Sequence, residues 1–239
     1  MNIFSMAQNW WQFVIMAVVC YLVGSANFAK IISRANRGDI TKMGSGNPGT
    51  MNMIRNFGFR LGLLTFFCDA LKGGLPVLIA HLIYQGQFFA GTAVYVSDVA
   101  RYFCGLFVII GHIFPITLGF KGGKGIASTF GIFWMALSCE NLLWALFGAF
   151  AVLGILAFIY ASEWGSLGSL LGVSVFCVAQ MAVFFFRYAY LLVDIYMVWT
   201  YLLPFVIVTI TWLAHWQNLV RLFAGEEHRT SLKGKIKKK

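Results

Sequence analysis

Residues 195–214 read IYMVWTYLLPFVIVTITWLA, an apolar stretch that contains no charged side chain. A bilayer core takes roughly 20 apolar residues per helix, so a stretch of this length predicts a membrane-spanning helix. In lipid the backbone must satisfy its own hydrogen bonds, and the alternation of polar and apolar residues that a β-barrel needs is absent. Lipid is therefore the main solvent around this part of the chain.

Six further apolar stretches lie upstream, and together with 195–214 they predict an all-α integral membrane protein with about seven spans. The composition agrees, because hydrophobic residues make up 60% of the chain and charged residues 11%. No repeat or long linker divides the chain, so we expect a single domain over residues 1–239. The six stretches are approximately Trp10–Ala29, Leu61–Tyr84, Tyr102–Phe120, the short Ile126–Cys139, Asn141–Ala161 and Trp164–Phe186.

Basic residues fall mainly on one side of these spans. With the N-terminus outside, the inner face receives two basic loops and the basic tail, whereas the outer connections keep little more than Arg101 and Arg187. This bias predicts an outer N-terminus and a cytoplasmic C-terminus. Much of the net charge of +10 lies between Arg229 and Lys239, directly after an apolar run. That position favours anionic lipid headgroups over nucleic acid as the partner of the tail.

The first polar loop has three glycines within six residues, in the stretch Gly44-Ser-Gly-Asn-Pro-Gly49. Glycines spaced in this way let backbone amides converge on an anion. Glycine content alone is equally consistent with a tight turn between helices. Side-chain donors that would favour the oxyanion site are Ser45, Asn47, Asn52 and Arg55.

The second loop reads Lys121-Gly-Gly-Lys-Gly125 and opens the short fourth span. Two cations, open backbone amides and the positive end of a helix dipole together are typical of phosphate binding. The loop is not a Walker A motif, because Leu118 stands where the first glycine is needed, so nucleotide hydrolysis is not supported. The alternative is a basic loop that only sets the topology.

The third segment follows the last span and runs from His215 to Glu227. If the helix continues, His215 and Asn218 share one face, where an imidazole beside an amide can transfer a proton or bind a hydroxyl. A histidine of an interfacial aromatic belt is the alternative. In the second span, Asp69 and Lys72 are three residues apart, and we expect them to pair on one helix face or to face a substrate.

All of these segments carry hydrogen-bond donors that can bind an anionic oxygen. The sequence has no Gly-x-Ser-x-Gly elbow, no cysteine–histidine nucleophile, no H-x4-D pair and no metal cluster. An enzyme with this inventory would act on an already activated substrate, through positioning and charge stabilisation.

On three motifs the chain resembles the acyl-phosphate:glycerol-3-phosphate acyltransferases of bacterial membranes. The family motif G-S-G-N-P-G-A-T-N-x-x-R matches at Gly44 to Gly49, Asn52 and Arg55, and G-H-x-F-P-x-x-x-x-F-K-G-G-K-G matches from Gly111 to Gly125. The third motif, H-x-x-N-x-x-R-L-x-x-G-x-E, matches at His215, Asn218, Arg221, Leu222, Gly225 and Glu227. Departures that put substrate affinity in doubt are Thr50, Met51, Ser128, Trp216, Gln217 and the pair Ala26-Asn27.

The resemblance implies transfer of a fatty acyl group from acyl phosphate to the 1-hydroxyl of glycerol 3-phosphate, at the cytoplasmic face of the inner membrane. No cofactor, coenzyme A thioester or metal is implied. The implied catalytic residues are His215, Asn218, Ser45 and Lys124. The implied substrate-binding residues are Gly44, Gly46, Asn47, Gly49, Asn52, Arg55, His112, Lys121, Gly122, Gly123, Gly125, Arg221 and Glu227.

Two other functions are compatible with these features. An organophosphate transporter also uses intramembrane charge and glycine-broken helices, although the phosphate-binding residues here fall on one membrane face and no inverted repeat is found. A catalytically weakened paralogue that serves as a scaffold is suggested by the departures in the third motif.

Overall fold

A computed structural model describes residues 2–227 of the chain. The predicted basic tail from Arg229 onward lies outside the described residues. The helices are α1 (Met6–Ser25), α2 (Phe28–Ala35), α3 (Thr50–Phe57), α4 (Phe59–Tyr84), α5 (Val96–Ile113), α6 (Ile126–Ser138), α7 (Leu142–Ser162), α8 (Gly165–Tyr188), α9 (Ile195–Ala214) and α10 (Trp216–Phe223). Two short strands, β1 (Asn2–Phe4) and β2 (Gln87–Phe89), pair in parallel.

The helices confirm the prediction of an all-α membrane protein. Within residues 2–227, six segments are long and apolar enough to cross a membrane, and α6 is the short apolar helix in addition to them. With 13 residues, α6 is about 20 Å long, less than the roughly 30 Å of a bilayer core. Most of its side chains are buried between other helices, so α6 lies inside the bundle.

Glycines let two pairs of helices approach closely. A Cβ added at Gly73 of α4 would overlap the Ser128 carbonyl of α6, and one added at Gly131 of α6 would overlap the Ala70 carbonyl of α4. In the same reciprocal way, Gly24 on α1 and Gly111 on α5 lie against each other's helix backbones. Small residues bring helices together in lipid, where the hydrophobic effect does not drive their association.

The intramembrane charges on α4 are paired, as predicted. Lys72 Nζ lies 3.0 Å from Asp69 Oδ1, and both side chains are almost fully buried. Lys72 also donates hydrogen bonds to the carbonyl oxygens of Gly24 at 3.2 Å and Ala26 at 2.7 Å. The ion pair thus satisfies carbonyl groups at the end of α1 and joins α1 to α4.

A second buried network corrects the predicted boundary of the third span. The predicted third span begins at Tyr102 and so leaves out Asp98 and Arg101, but both lie in α5. The fully buried Arg101 donates to Asp98 and, at 2.8 Å, to Glu140, while Arg187 bonds to the same two carboxylates. Because the four charges balance, the part of α5 that carries Asp98 and Arg101 can be buried, which a count of charges along the sequence does not reveal.

Successive spans alternate in direction and give the bundle two distinct ends. One end, called here the site end, holds the loops 36–49 and 114–125 and residues 215–227. Contacts join its parts, since Tyr21 Oη donates to the Phe114 carbonyl and Thr117 Oγ1 to the Ser25 carbonyl, both at 2.9 Å. The opposite end holds β1, β2 and the network of Asp98, Arg101, Glu140 and Arg187, called here the opposite-end network.

Candidate active site

The second and third predicted segments meet at Lys124 and Asn218. Lys124 precedes α6 and Asn218 lies in α10, and the Lys124 ammonium donates a hydrogen bond to the Asn218 side-chain carbonyl oxygen. The two residues are 94 positions apart in the chain. This contact brings a loop cation and the predicted hydroxyl-orienting amide into one place.

A fourth segment joins them through Ser166, at the start of α8. Asn218 Nδ2 donates to Ser166 Oγ at 2.9 Å and to Glu227 Oε1 at 2.8 Å, and Ser166 Oγ donates to Glu227 Oε1 at 2.6 Å. Arg221 Nε donates to the other oxygen of Glu227 at 3.1 Å. We call Lys124, Ser166, Asn218, Arg221 and Glu227 the site cluster. Ser166 is not among the predicted site residues, because a lone serine after Trp164-Gly165 belongs to no local pattern and only its long-range contacts identify it.

The charges of the site cluster perturb one another. Burial and the neighbouring Arg221 and Arg55 lower the pKa of Lys124, although Glu227 acts in the opposite sense. Burial alone would raise the pKa of Glu227, but hydrogen bonds from Ser166, Asn218 and Arg221 outweigh it, and the pKa lies below its usual value. The cluster is therefore an ordered set with a carboxylate anchor and three cations within electrostatic range.

His215 lies beside this cluster, between α9 and α10. Its Nδ1 lies 2.8 Å from the Thr211 carbonyl oxygen. Because a carbonyl only accepts, Nδ1 carries the proton and Nε2 has its lone pair free. Burial lowers the pKa of His215 to about 4, with a smaller contribution in the same direction from Lys124. At neutral pH the ring is uncharged and can accept a hydrogen bond from a hydroxyl.

The predicted continuous helix through this segment is interrupted by one residue. The helix α9 ends at Ala214, His215 has φ −99° and ψ 8°, and α10 begins at Trp216. The amides of Asn218 and Leu219 donate to the His215 carbonyl, so the hydrogen-bond pattern of α10 starts at the bend. Trp216 and Gln217, which depart from the family motif, are exposed and make none of the hydrogen bonds of the site cluster found in residues 2–227.

The first loop is organised by Asn52 on α3. The buried Asn52 side chain accepts from the Ser45 amide at 3.2 Å and donates to the carbonyls of Ile40 and Met43. Gly44 and Gly46 have φ of 55° and 70°, which favours glycine and folds the loop around this side chain. Asn52 thus holds the loop in shape, and its predicted direct contact with a substrate stays a prediction.

Arg55, at the end of the first loop region, acts electrostatically on Lys124 of the second loop. It lies in the last turn of α3, is exposed, and contributes to the lowered pKa of Lys124. Ser45 is also exposed, and no hydrogen bond within residues 2–227 joins its hydroxyl to the site cluster. The roles predicted for Ser45, Asn47 and Gly49 remain predictions.

Two glycine amides of the second loop form hydrogen bonds within the chain. The Gly122 amide donates to the Ile113 carbonyl at 3.0 Å and the Gly123 amide to the His112 carbonyl at 3.1 Å, so both are occupied within the chain. A Cβ at Gly123 would overlap the imidazole of His112, which is buried beneath the loop. These glycines and His112 therefore shape the loop. Their predicted role in binding phosphate stays a prediction.

The amides available to an anion lie a few residues further on. In the part of the chain described, the amides of residues 124–128 have no hydrogen-bond acceptor, and they stand at the beginning of α6. Helix N-termini of this kind attract anions through their amides and the helix dipole. Lys124 is at the same position, and Lys121 is exposed nearby in the loop. Lys124 and these amides therefore stand together at the beginning of α6.

Taken together, the site end offers positive charge, open amides, a neutral imidazole and a fixed amide side chain. Such a set can bind a phosphate and orient a hydroxyl. Among residues 2–227, no three histidine, cysteine, aspartate or glutamate side chains are placed to hold one metal ion.

Comparison with known proteins gives consistent matches. A sequence model of the family described as glycerol-3-phosphate acyltransferase matches residues 14–225. The chain is similar to the glycerol-3-phosphate acyltransferase of Agrobacterium fabrum, with 33% identity over 91% of this chain and 92% of that protein. It is also similar to that of Thermotoga petrophila, with 34% identity over 94% of this chain and 98% of that protein.

Two solved structures have a similar fold. They are crystal structures of PlsY (YgiH), described as an integral membrane glycerol 3-phosphate acyltransferase, in a glycerol 3-phosphate form and a lysophosphatidic acid form. The TM-scores are 0.68 and 0.67, each with 29% identity over 91% of this chain and 95% of the other.

Proposed function

The chain belongs to the glycerol-3-phosphate acyltransferase family, and from this membership we propose that it transfers a fatty acyl group from acyl phosphate to the 1-hydroxyl of sn-glycerol 3-phosphate. The products are lysophosphatidate and inorganic phosphate, which makes this an early step of phospholipid synthesis. The protein acts as a multi-pass protein of the bacterial inner membrane, with the site end facing the cytoplasm.

The observation that carries this proposal is the convergence of distant segments on Lys124. Asn218 accepts its hydrogen bond, Glu227 and Arg221 lie beside it, and Arg55 is within electrostatic range. A binding surface for one phosphate would not need a buried, neutral histidine. His215 next to the cations suits a reaction that needs both an anion site and an oriented hydroxyl.

Glycerol 3-phosphate as the acceptor is supported by the related structures, which are a glycerol 3-phosphate form and a lysophosphatidic acid form. The two forms correspond to substrate and product of the proposed reaction. In this chain we place the acceptor's hydroxyl at His215 Nε2 and the Asn218 side chain.

Acyl phosphate as the donor is supported by the chemistry of the site. Ser166 is the serine of the site cluster, and its hydroxyl is engaged with Glu227 and Asn218 rather than activated by a histidine. Without an activated nucleophile, direct transfer requires a donor with a good leaving group, and phosphate is one. Lys124, Lys121 and the amides of residues 124–128 are suited to bind it.

In the proposed reaction the 1-hydroxyl oxygen attacks the acyl carbonyl carbon and forms a new C–O bond. The bond between that carbon and the phosphate oxygen then breaks, and inorganic phosphate leaves with its electron pair. Lys124 and the open amides stabilise the oxyanion and the leaving phosphate. The hydroxyl proton passes to His215 Nε2 or to a substrate phosphate, whose negative charge would raise the low pKa of His215.

An acyl chain that extends from the site cluster toward the middle of the bundle needs an apolar surface there. A groove of about 450 Å³ between α7 and α8 is lined by apolar side chains, including Phe147, Leu171 and Val175. One wall of the groove is α8, the helix that also carries Ser166. In this wall, Ser174 Oγ accepts a hydrogen bond from Trp212 Nε1. We propose that the acyl chain occupies this groove.

The decisive experiment is a transfer assay with purified protein, radiolabelled glycerol 3-phosphate and palmitoyl phosphate. The wild type should form lysophosphatidate, and Lys124→Ala should lose about 100-fold or more in kcat/KM, as expected for a group that stabilises transition-state charge. Arg60→Ala, an exposed basic residue at the start of α4, is the matched control and should retain activity. Wild-type protein that is inactive in several detergents and lipids would overturn the proposal.

The role of His215 is tested separately by His215→Ala. If Nε2 orients the hydroxyl or accepts its proton, kcat should fall by about 100-fold while the KM for glycerol 3-phosphate changes little. An unchanged kcat with a raised KM would limit His215 to substrate binding and leave the phosphate as proton acceptor.

A further inference from the structure

A small groove at the site end lies outside the residues assigned to acyl transfer. It has a volume of about 230 Å³ and runs between α2 and the 3₁₀ turn at Ile116–Leu118. Its lining includes Asn27, Lys30, Arg34 and Thr117, none of which belongs to the site cluster. The proposed acyl transfer therefore gives this groove no role.

The walls of the groove are held by hydrogen bonds of buried or half-buried groups. Asn27 Oδ1 accepts from the Lys30 amide at 2.8 Å and caps α2, while Asn27 Nδ2 donates to the Pro48 carbonyl at 3.3 Å. On the other side, Thr117 Oγ1 donates to the Ser25 carbonyl at 2.9 Å. The groove thus has fixed walls on both sides.

Two cations line this groove on one face of α2. Lys30 and Arg34 are four residues apart, so their side chains lie one above the other on the helix. Asp39 is within electrostatic range of both, but its carboxylate accepts hydrogen bonds from the Thr41 amide and hydroxyl. Neither cation has a carboxylate within 4.0 Å among residues 2–227. The groove carries positive charge without a partner in the described part of the chain.

Exposed apolar side chains surround the cations. Ile31 lies between them in sequence and is 54% exposed, and Phe114 and Ile116 on the adjoining segment are 50% and 57% exposed. Leu22, on the lipid-facing side of α1, is exposed to a similar extent. The groove is therefore at the border between the apolar surface of the bundle and its polar end, where lipid headgroups lie.

We propose that this groove binds the phosphate of an anionic phospholipid from the surrounding leaflet. Lys30 and Arg34 pair with the phosphate, and the acyl chains lie along the exposed apolar surface of α1 and Phe114. The bilayer lipid is favoured over a substrate because no hydrogen bond or ion pair within residues 2–227 links Lys30 or Arg34 side chains to the site cluster. This inference does not depend on the proposed acyl transfer.

A lipid bound in the groove is connected to the first loop through hydrogen bonds of Asn27. Asn27 caps the helix that carries both cations and also binds the Pro48 carbonyl, in the glycine loop that Asn52 organises. A lipid that holds α2 in place should therefore also steady this loop.

The test is a binding experiment on the full-length protein in a zwitterionic detergent, without acyl donor. Dioctanoyl phosphatidylglycerol is titrated and followed by native mass spectrometry, with dioctanoyl phosphatidylcholine as the neutral comparison. Wild-type protein should bind the anionic lipid at least about tenfold more tightly than Lys30→Gln/Arg34→Gln, since each cation contributes to headgroup attraction. The control Lys42→Gln/Arg60→Gln removes the same charge from exposed positions at the site end and should bind like wild type.

Any one of several binding results would overturn the proposal. These are equal affinity of Lys30→Gln/Arg34→Gln and wild type, an equal loss in the control variant, or equal binding of the neutral lipid. Displacement of phosphatidylglycerol by inorganic phosphate or lysophosphatidate at comparable concentration would also overturn it, because the groove would then serve substrate or product. Thermal unfolding curves verify that each variant is folded. Because acyl transfer is not measured, failure here leaves the proposed function untouched.

Discussion

At the level of single residues, the hydrogen bonds of Asn218 and Glu227 hold the reactive groups in place. Asn218 uses its carbonyl oxygen for Lys124 and its amide hydrogens for Ser166 and Glu227. Its orientation is thereby fixed, because exchanging oxygen and nitrogen would place donors against the Lys124 ammonium. Glu227 in turn compensates positive charge and accepts hydrogen bonds from Asn218 and Arg221. The family resemblance implied that these residues belong to one site, whereas the order of their hydrogen bonds comes from the fold.

The lowered pKa of Lys124 makes a prediction about pH. Acyl transfer that depends on the charged Lys124 ammonium should decline at a lower pH than the pH at which an ordinary lysine loses its proton. The reason is that burial, Arg221 and Arg55 favour the neutral form of Lys124. Lys124→Arg keeps its charge throughout this range, so the alkaline limb of kcat/KM should move to higher pH even if the rate at neutral pH falls. The exposed Lys121→Arg is the control and should leave the limb in place. A limb that stays unchanged in Lys124→Arg would assign it to another group.

Among the elements, α4 and α6 have the closest helix contact near the site. Gly131→Ala should destabilise the protein by about 1–3 kcal/mol, because the added methyl group overlaps the Ala70 carbonyl and the helices must separate. Gly154→Ala, on α7, is the matched control, since a Cβ there has no atom within 4 Å. Thermal unfolding in detergent measures the difference. Equal melting temperatures for the two variants would contradict the close packing of α4 and α6.

Element boundaries reveal where sequence reasoning succeeds and where it stops. Apolar length predicted the long helices and the short α6 well, because lipid imposes that length directly. It missed the first part of α5, since Asp98 and Arg101 resemble loop residues until Glu140 and Arg187 are placed beside them. The break at His215 was also missed, because nothing in the local sequence distinguishes a bend from a continuous turn. Long-range contacts determine where α5 begins and where the chain bends at His215.

For the molecule as a whole, the two ends have separate tasks. Charge at the site end is left partly open for ligands, whereas the opposite-end network neutralises itself through Asp98, Arg101, Glu140 and Arg187. Arg101→Met should cost about 3–5 kcal/mol of stability, because it leaves two buried carboxylates with one partner fewer. Well below the melting temperature, kcat should remain near the wild-type value. A large loss of kcat in folded protein would mean that the ends are coupled.

Orientation in the membrane is the remaining property of the whole molecule, and labelling of single cysteines tests it. Lys42→Cys places an exposed thiol in the site end, and Gln85→Cys places one after α4 at the opposite end. If the site faces the cytoplasm, a membrane-impermeant maleimide added to intact spheroplasts should label Gln85→Cys but not Lys42→Cys. After the membrane is permeabilised, both should react. The five native cysteines are buried or half-buried, and the wild-type chain gives their background. The reverse labelling pattern would place the site outside, where cytoplasmic substrates do not reach it.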